Sequence, residues 1–319
     1  MAKLKIASGD SQAEAMKLRA ELARKIAAHI HLDGKVATNV PGLSLYCKSS
    51  PTECTSAAYE PELIVFVQGE KHINVGGTTL VCNETTFLLT SIDMPVVSQV
   101  TKASKEEPIL ALMLKLEMPI VREILSQEEF HVPEATSGTR GMAVGETTVE
   151  LLDACSRLLD LLDAPQNISF LGNLIEREII YRLLRGPQGK HLRAIATLGE
   201  QSNRTAKAVA WLRENYSKSL RIEELASVAQ MGVSTLHHHF RSLTAMSPLQ
   251  YQKQLRLHTA RVRMLTDGLD AASAAFEVGY ESPSQFSREY SRFFGQPPMR
   301  DIKVRRGASA ATNFDSLQA

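Results

Sequence analysis

The sequence predicts an α+β chain with two domains, an antiparallel sheet domain followed by an all-helical domain that carries two helix-turn-helix units. Three observations support this. Seven short β-branched or aromatic runs lie between residues 43 and 117, helical patterns dominate from Met118 onward, and a near-repeat recurs in the C-terminal third. At 319 residues the chain is long enough for two domains, each with its own core.

Residues 1–34 are predicted to form an N-terminal amphipathic helix. Apolar side chains recur there at four-residue steps, at Leu18, Leu22, Ile26 and Ile30. The segment lacks the apolar core of a signal peptide, and the sequence contains no run of about 18 apolar residues. We therefore expect a cytoplasmic protein without a membrane partner, in which thiols are reduced.

Residues 35–186 are predicted to contain the sheet domain. Its seven runs are separated by Gly, Asn, Asp, Pro or Lys, and they read LSLYCKS, ELIVFVQG, KHINVGG, TTLVCN, TTFLLTS, PVVSQVTKA and ILALMLKLE. Short runs of this composition at turn-like intervals are typical of an antiparallel sandwich or barrel.

Two helical patterns complete this domain, TVELLDACSRLLDLLD and SFLGNLIEREIIYRLLRG. The second is predicted to bury one side, formed by Leu171, Leu174, Ile175, Ile179 and Leu183. Such a side either covers its own sheet domain or forms a two-fold interface between two copies. We favour the interface, and with it a homodimer.

The charge of the chain is unevenly distributed. Residues 205–306 contain 15 Lys or Arg against 9 Asp or Glu, a net charge of +6, whereas the remainder has 21 against 26, a net charge of −5. A basic module of this kind favours a negatively charged partner. We place the C-terminal domain at residues 206–306, between a linker at 187–205 and a disordered tail at 307–319.

The basic module nearly repeats itself after fifty residues. Each copy reads as a short helix, a tight turn and a second helix, first RIEELASVA, QMGV and STLHHHFRSL, then DAASAAFEV, GYES and PSQFSREYSRFF. The corresponding positions are Val228 and Val278, Ala229 and Gly279, Ser234 and Ser284, Leu236 and Phe286, Phe240 and Tyr290, and Pro248 and Pro298. A small residue, Ala229 or Gly279, lets the two helices approach, as a helix-turn-helix requires.

The apolar positions assign a face to each second helix. Leu236 and Phe240 are four residues apart and point inward, as do Phe286 and Tyr290. Side chains on the outer faces can hydrogen-bond to bases or phosphates in the major groove of double-stranded DNA. The residues predicted to contact DNA are Ser234, His237, His238, Arg241, Ser284, Gln285, Arg288 and Arg292.

The pattern PLQYQKQLRLHTARVRMLT between the copies predicts one long helix that carries both units. A rigid rod of this length would place the two second helices in successive major grooves, which lie about 34 Å apart. Arg256 and Arg261 on this helix, together with Arg292, are predicted to contact phosphates.

The histidine run His237–His239 has two further interpretations, a metal site and a solvated surface without function. Adjacent residues on a helix point about 100° apart, so three in a row cannot bind one metal ion. The helical zinc motif HExxH is also absent from the sequence. The basic surroundings favour a surface that faces DNA.

At these residues the module resembles the DNA-binding domain of the AraC/XylS family of transcriptional regulators. The second copy carries A-x3-GYES-x3-FSREY-x2-FFG-x-PP from Ala275 to Pro298, which follows the family pattern at nearly every constrained position. The first copy departs from it at His238, where the family usually has Arg. The resemblance therefore implies a weaker or pH-dependent contact there.

The resemblance extends upstream. The segments VPGLSLYCKSSPTECTSAAYEPELIVFVQGEKHINVGG and NLIEREIIYRLLRGPQG are similar to the N-terminal sensing domain of one branch of the family. The resemblance implies a cupin-like antiparallel barrel with helices, which acts in effector sensing and dimerisation. It also implies RNA polymerase as a partner and activation as the usual outcome.

Cys54, Cys82 and His72 are the candidate effector or redox residues. The four cysteines form no CxxC pair, which argues against a zinc ribbon and a disulfide scaffold. They are core hydrophobes, or Cys54 in its polar loop is a thiolate that electrophiles or oxidants modify. The resemblance supports the second interpretation, because some relatives with this N-terminal domain are associated with responses to aldehydes or electrophiles.

The predicted function is that of a sequence-specific DNA-binding regulator, an activator that responds to a small molecule or an electrophile. The alternative is a cupin-type small-molecule enzyme fused to a DNA-binding module. Metal cupins use an HxH pair with a downstream Glu and His, whereas KHINVGG supplies only His72, so no metal, cofactor or catalytic residue is predicted. A third hypothesis, an architectural DNA binder without a ligand, requires solid packing inside the barrel.

Overall fold

The computed structural model of the protein describes residues 2–75, 78–127, 141–197 and 201–315. Side chains are described between residues 11 and 306 of these ranges, except that of Ser56. A sheet-rich N-terminal part precedes a helical C-terminal part, which confirms the predicted α+β organisation.

Helix α1 (Ala2–His29) precedes the strands, and helix α2 (Met118–Gln127) lies before the last of them. The described residues form ten strands: β1 (Gly34–Ala37), β2 (Leu43–Lys48), β3 (Thr55–Tyr59), β4 (Glu62–Gln68), β5 (Glu70–Val75), β6 (Thr78–Asn83), β7 (Thr86–Thr90), β8 (Met94–Lys102), β9 (Ile109–Lys115) and β10 (Met142–Glu146).

The strands pair antiparallel in two sheets. The larger sheet has the order β1-β2-β9-β4-β7-β10, and the smaller has the order β3-β8-β5-β6. All seven predicted runs form strands, which are β2 and β4 to β9. Three further strands, GKVA, TSAAY and MAVGE, are short and weakly apolar, and the sequence pattern did not indicate them.

The larger sheet has apolar side chains on both faces, because successive residues of a strand point to opposite sides. Leu63 and Val65 belong to a cluster with Leu22 and Ile26 of α1. Ile64 and Phe66 point the other way, into a cluster shared with the smaller sheet. The predicted N-terminal helix therefore covers one face of the larger sheet, and the apolar cluster on its other face lies between the two sheets.

Three helices complete this part of the chain: α3 (Val149–Asp160), α4 (Asn173–Arg185) and α5 (Gly189–Ala196). Ile175, Ile179 and Leu183 of α4 are buried as predicted. Leu171 and Leu174 are 38% and 51% exposed, so within one copy of the chain they are not part of the buried side. Leu174 points about 100° away from Ile175, and a π-helical turn at Ile168–Gly172 breaks the four-residue spacing that would align Leu171 with the buried side.

The C-terminal part consists of helices: α6 (Gln201–Glu214), α7 (Ile222–Val228), α8 (Val233–Thr244), α9 (Pro248–Thr266), α10 (Ala271–Glu277), α11 (Pro283–Phe294) and α12 (Pro298–Asp315). The predicted linker at 187–205 contains α5 and the start of α6, and its residues 198–200 lie outside the described ranges. The predicted tail at 307–319 is helical to Asp315, consistent with the high helix propensity of its alanines; its last four residues also lie outside the described ranges.

The two helix-turn-helix units differ by one residue in the turn. In the first unit the Met231 amide donates to the Ala226 carbonyl at 2.9 Å. In the second unit the Tyr280 amide donates to the Ala275 carbonyl, also at 2.9 Å, and these residues lie forty-nine positions later. The second helices, however, begin fifty residues apart, at Val233 and Pro283.

The longer second turn changes which residues correspond. The left-handed backbone falls on Gln230 (φ 53°) in the first unit and on Gly279 (φ 89°) in the second. The structural counterpart of Gly279 is therefore Gln230, and that of Val278 is Ala229. The predicted pairings of Gly279 with Ala229 and of Val278 with Val228 were wrong. A Cβ atom at Gly279 would lie 1.9 Å from the Ser217 carbonyl oxygen, so this turn has no room for a side chain.

We expect Gly279→Ala to destabilise the protein more than Gly295→Ala. Both glycines have positive φ, 89° and 79°, where a side chain costs about 1–3 kcal/mol, but a Cβ at Gly295 meets nothing within 4 Å. The contact with Ser217 adds about 1–3 kcal/mol at Gly279. Urea unfolding of both full-length variants measures this difference, and equal losses would mean that the Ser217 contact is relieved without cost.

Candidate nucleic-acid interface

Helix α8 buries one side and exposes the other. Leu236 and Phe240 are completely buried in the core that surrounds the first helix-turn-helix unit. The outer side is exposed and carries Ser234, His237, His238 and Arg241. The burial agrees with the face assigned from the sequence, whereas contact of these four residues with DNA stays a prediction.

Helix α11 repeats this arrangement. The Ser282 side chain caps its first turn by accepting a hydrogen bond from the Gln285 amide, and Pro283 occupies the first position of the helix. Phe286 and Tyr290 are completely buried. The exposed side carries Ser284, Gln285, Arg288 and Arg292. The two helices therefore present equivalent polar faces.

The histidine run is divided between surface and core. His237 and His238 are exposed, whereas His239 is half-buried and its ring lies edge-on to that of His238, with 5.2 Å between centroids. Burial lowers the pKa of His239, and the neighbouring His238 adds to the effect. Within the part of the chain that the structure describes, no group of three or more His, Cys, Asp or Glu residues is arranged to hold a metal ion.

Arg256 on the connecting helix α9 binds backbone carbonyls. Its guanidinium donates to Tyr216 (2.7 Å), Gly279 (2.9 Å), Ser217 (3.2 Å) and Lys218 (2.8 Å). These bonds tie the loop after α6 to the turn of the second unit. Arg256 is thus occupied in positioning the second unit, and the predicted phosphate contact would require it to leave these partners.

Arg261 is a structural residue, and the prediction that it contacts a phosphate was wrong. It is only 6% exposed, and its guanidinium donates to both carboxylate oxygens of Asp301, at 2.7 and 2.8 Å. The Tyr290 hydroxyl donates to the same carboxylate at 2.7 Å. Burial would raise the pKa of Asp301, but the hydrogen bonds from Arg261 and Tyr290 hold it below its usual range.

Two members of this core, Asp301 and His258, were not predicted from the sequence. His258 is buried against the Phe293 and Phe294 rings, with centroid distances of 5.5 and 5.8 Å. His258 lies three residues after the apolar Leu255 on α9, and this helical spacing is the signal in the sequence that could have indicated burial. Asp301 had no such signal, because its partner Arg261 lies 40 residues earlier.

The three candidate effector residues lie in different environments. Cys54 is exposed, and its thiol lies 3.6 Å from the Gln99 side-chain oxygen. Cys82 is completely buried between the sheets, and burial raises the pKa of its thiol to about 12. His72 is partly exposed and lies 3.2 Å from the Glu70 carboxylate. The structure does not bring these three residues together around one cavity.

A cavity of about 190 Å³ lies between the sheets, and it also was missed. Ile64, Phe66 and Met113 form its apolar wall on the larger sheet, which also carries the Tyr46 ring, and the Tyr59 ring and Lys71 belong to the smaller sheet. None of its lining residues was a candidate in the sequence analysis, because they are spread over strands that only the folded sheets bring together.

Direct contacts join the sheet domain to the first helix-turn-helix unit. Arg213 of α6 forms ion pairs with Glu60 and Asp93. The Tyr251 hydroxyl of α9 donates to the Asp93 carbonyl at 2.7 Å. At the end of α8, the Leu243 carbonyl accepts from the Gly141 amide at 2.8 Å. One apolar cluster also contains residues from both parts.

Comparison with known proteins supports this two-part organisation. The family model described as AraC-type transcriptional regulator N-terminus matches residues 39–191, and the model described as helix-turn-helix domain matches residues 225–303. The chain belongs to the AraC/XylS family. The resemblance seen in the sequence is thereby confirmed, including its upstream part.

Two curated relatives are regulators. The HTH-type transcriptional regulator ArgR of Pseudomonas aeruginosa is 27% identical over 162 residues, which are 50% of this chain and 49% of ArgR. The HTH-type transcriptional activator RhaS of Yersinia pestis is 31% identical over 104 residues, which are 33% of this chain and 38% of RhaS. The chain thus matches half or less of the length of these relatives.

The fold of this AraC/XylS family member is similar to that of ToxT from Vibrio cholerae. An apo ToxT variant aligns with a TM-score of 0.55 at 8% sequence identity, over 83% of this chain and 98% of ToxT. ToxT with a bound unsaturated fatty acid aligns with a TM-score of 0.54 at 10% identity, over 86% of this chain and 96% of ToxT.

Within the described ranges, no helix combines the length and hydrophobicity needed to cross a membrane.

We expect His258 to make this protein less stable as the pH falls. Burial lowers the pKa of His258 to about 4, and the Arg261 guanidinium adds to this, whereas an unfolded histidine titrates near 6.5. Between these values the unfolded chain takes up a proton that the folded chain refuses, so the free energy of unfolding decreases from about pH 6.5 down to about pH 4.

The variant His258→Phe should decrease this pH dependence, whereas His237→Phe, which removes an exposed imidazole, should retain it. Urea unfolding of the full chain at several pH values between 7.5 and 4.5 measures the slope. An unchanged slope in His258→Phe would show that other groups cause it.

Proposed function

We propose that the protein is a sequence-specific DNA-binding transcriptional regulator whose N-terminal domain senses a small molecule or a reactive effector. One observation carries the proposal: α8 and α11 bury equivalent apolar sides and expose equivalent polar sides, in a domain that matches a helix-turn-helix family model. Paired recognition helices of this kind fit the major groove of double-stranded DNA.

The exposed residues divide the contact with DNA between bases and phosphates. Arg288 can donate two hydrogen bonds to guanine, Gln285 can pair with adenine, and Ser234 and Ser284 can bond to either. His237 and His238 can donate to a base acceptor or a phosphate. Arg241 and Arg292, which lie closer to the helix ends, position the protein on the backbone.

The cavity between the sheets supports effector sensing over an architectural role, since the latter predicts a solid interior. The structure of ToxT with a bound fatty acid gives further support, because its fold is similar. The two facing antiparallel sheets support a cupin-like barrel. The matched relatives are regulators, which favours a protein without enzymatic activity over the fused enzyme.

We also propose a homodimer that acts in the cytoplasm as an activator and contacts RNA polymerase at promoter sites. The name of RhaS, a transcriptional activator, supports activation. The exposed apolar side chains of Phe170, Leu171 and Leu174 beside α4 support a second copy of the chain as a partner. Sedimentation of the full-length protein as a monomer at micromolar concentration would contradict the dimer.

Among the residues predicted as sensors, Cys54 remains a candidate. Its thiol is exposed and can be reached by an electrophile, whereas Cys82 is buried and its raised pKa keeps it protonated. The hypothesis requires that Cys54→Ser responds less to an electrophile in a reporter assay. A full response in that variant would exclude a role for this thiol.

The contacts between the two parts provide a route from effector to DNA. Tyr59 lines the cavity, and the next residue, Glu60, forms the ion pair with Arg213. A displacement of β3 by a bound effector would therefore reach α6 directly. This route supplements the linker at 187–205, which joins the two parts along the chain.

The full-length protein is expected to enrich specific sites from fragmented genomic DNA of its source at moderate salt. Arg288→Ala should remove that enrichment, because it deletes the proposed guanine contact. Arg122→Ala is the matched control, since it removes one exposed arginine from α2 and changes the net charge equally. Sequencing of the retained DNA measures the outcome.

At low salt both variants should still retain DNA without specificity, because the charge of +6 on residues 205–306 changes little. Specific enrichment by Arg288→Ala equal to that of Arg122→Ala would contradict the proposed base contact. Absence of any retention at low salt would contradict DNA binding itself.

Arg213→Met is expected to weaken the link between effector and DNA. It removes the ion pairs with Glu60 and Asp93 and leaves the exposed faces of α8 and α11 unchanged. DNA affinity with and without an inducing effector should then differ by a smaller factor than in the native protein. Fluorescence anisotropy with a retained DNA site measures both affinities, and an unchanged factor would exclude this route.

A further inference from the structure

The cavity between the sheets contains the ammonium group of Lys71 beside two tyrosine rings. The Lys71 ammonium lies over the Tyr46 ring at 4.9 Å and over the Tyr59 ring at 5.6 Å from the centroids. Among the residues that the structure describes, no carboxylate lies within 4.0 Å of its nitrogen. A lysine placed among apolar and aromatic side chains without a carboxylate is destabilised by the loss of hydration.

The other ionisable groups of the cavity do not neutralise Lys71. Glu62 is buried, which raises its pKa, and it lies 3.4 Å from the Lys35 ammonium. Its carboxyl group is therefore neutralised by a proton or by Lys35, and it forms no ion pair with Lys71. The Cys82 thiol, which is the cross-strand neighbour of Lys71, stays protonated because burial raises its pKa to about 12. The cavity thus has a net positive charge near neutral pH.

The remaining lining defines the shape of a ligand. Ile64, Phe66 and Met113 form an apolar wall, and the cavity of about 190 Å³ reaches the surface near the exposed residues Lys35 and Ala58. A dry apolar cavity of roughly 150 Å³ accommodates benzene. The space beside Lys71 therefore fits an apolar group about the size of one aromatic ring with one small substituent.

We propose that this cavity is the effector site and that it binds a small monoanionic carboxylate, with the carboxylate on Lys71 and an apolar body of one-ring size against Ile64 and Phe66. The Tyr46 and Tyr59 rings flank the Lys71 ammonium and restrict its position. This proposal rests on the proposed function for the consequence of binding, but the binding itself can be measured alone.

Benzoate and benzamide test the charge, because they have nearly the same shape. In isothermal titration calorimetry with the full-length protein, benzoate should bind at least about tenfold more tightly than benzamide, as charge-assisted hydrogen bonds are stronger than neutral ones. Lys71→Met should remove this preference. Lys102→Met is the matched control, since it removes an exposed lysine that pairs with Glu70 outside the cavity, and it should bind benzoate within about twofold of the native protein.

A second variant tests the location without changing a charge. Ala57→Leu places a larger side chain in the cavity wall and should abolish binding of both compounds, while thermal unfolding shows that the variant is folded. Hexanoate, an aliphatic monocarboxylate, is measured beside benzoate. The proposal is overturned if neither carboxylate binds at millimolar concentration. It is equally overturned if benzamide binds as tightly as benzoate, or if Lys71→Met retains the affinity.

The DNA enrichment assay separates this proposal from the proposed function. A protein that enriches specific DNA sites but does not bind the carboxylates would refute the effector site alone. A protein that binds benzoate through Lys71 but retains no DNA would refute the regulator and leave the site in place.

Discussion

The buried ion pair between Arg261 and Asp301 holds together the half of the DNA-binding domain that contains α11. Arg261 belongs to α9, Asp301 belongs to α12, and the Tyr290 hydroxyl of α11 donates to the same carboxylate. Loss of one partner from a buried pair costs about 3–5 kcal/mol, because the other charge is left without compensation. The orientation of the second recognition helix therefore depends on a charge that lies beneath its apolar side.

The two helix-turn-helix units are connected to the rest of the molecule in different ways. The first shares an apolar core with the sheet domain and contacts it at Leu243, and the adjoining helices α6 and α9 contact the sheet domain at Arg213 and Tyr251. The second has a separate core, formed by α9 to α12. Arg256 joins the second turn to the loop after α6, and α9 runs through both units. In the proposed regulator, an effector in the sheet domain would thus act on the first unit, and the second would follow through α9.

Apolar periodicity made the fold and the exposed sides of α8 and α11 predictable, and the burial of polar side chains limited what else could be predicted. Leu236, Phe240, Phe286 and Tyr290 follow helical spacing, so the outer faces were assigned correctly. Arg261 is an arginine in a basic segment and was therefore predicted to contact a phosphate, and only the fold reveals its buried partner 40 residues later. The cavity was missed for the same reason, because Tyr46, Tyr59 and Lys71 come from three strands in two different sheets.

Differences between the two repeats follow from their surroundings. The first recognition helix carries His238 where the second carries Arg288, and its turn tolerates Gln230 in a left-handed conformation. The second turn requires Gly279, because the Ser217 carbonyl held by Arg256 occupies the space of a side chain. Histidine is a weaker hydrogen-bond donor than arginine, and its charge depends on pH near neutrality. In the proposed regulator, the repeat would thus pair a stronger contact at Arg288, on a helix fixed by buried charge, with a weaker contact at His238, on a helix attached to the sheet domain. A small displacement of the sheet domain would then change the weaker contact most.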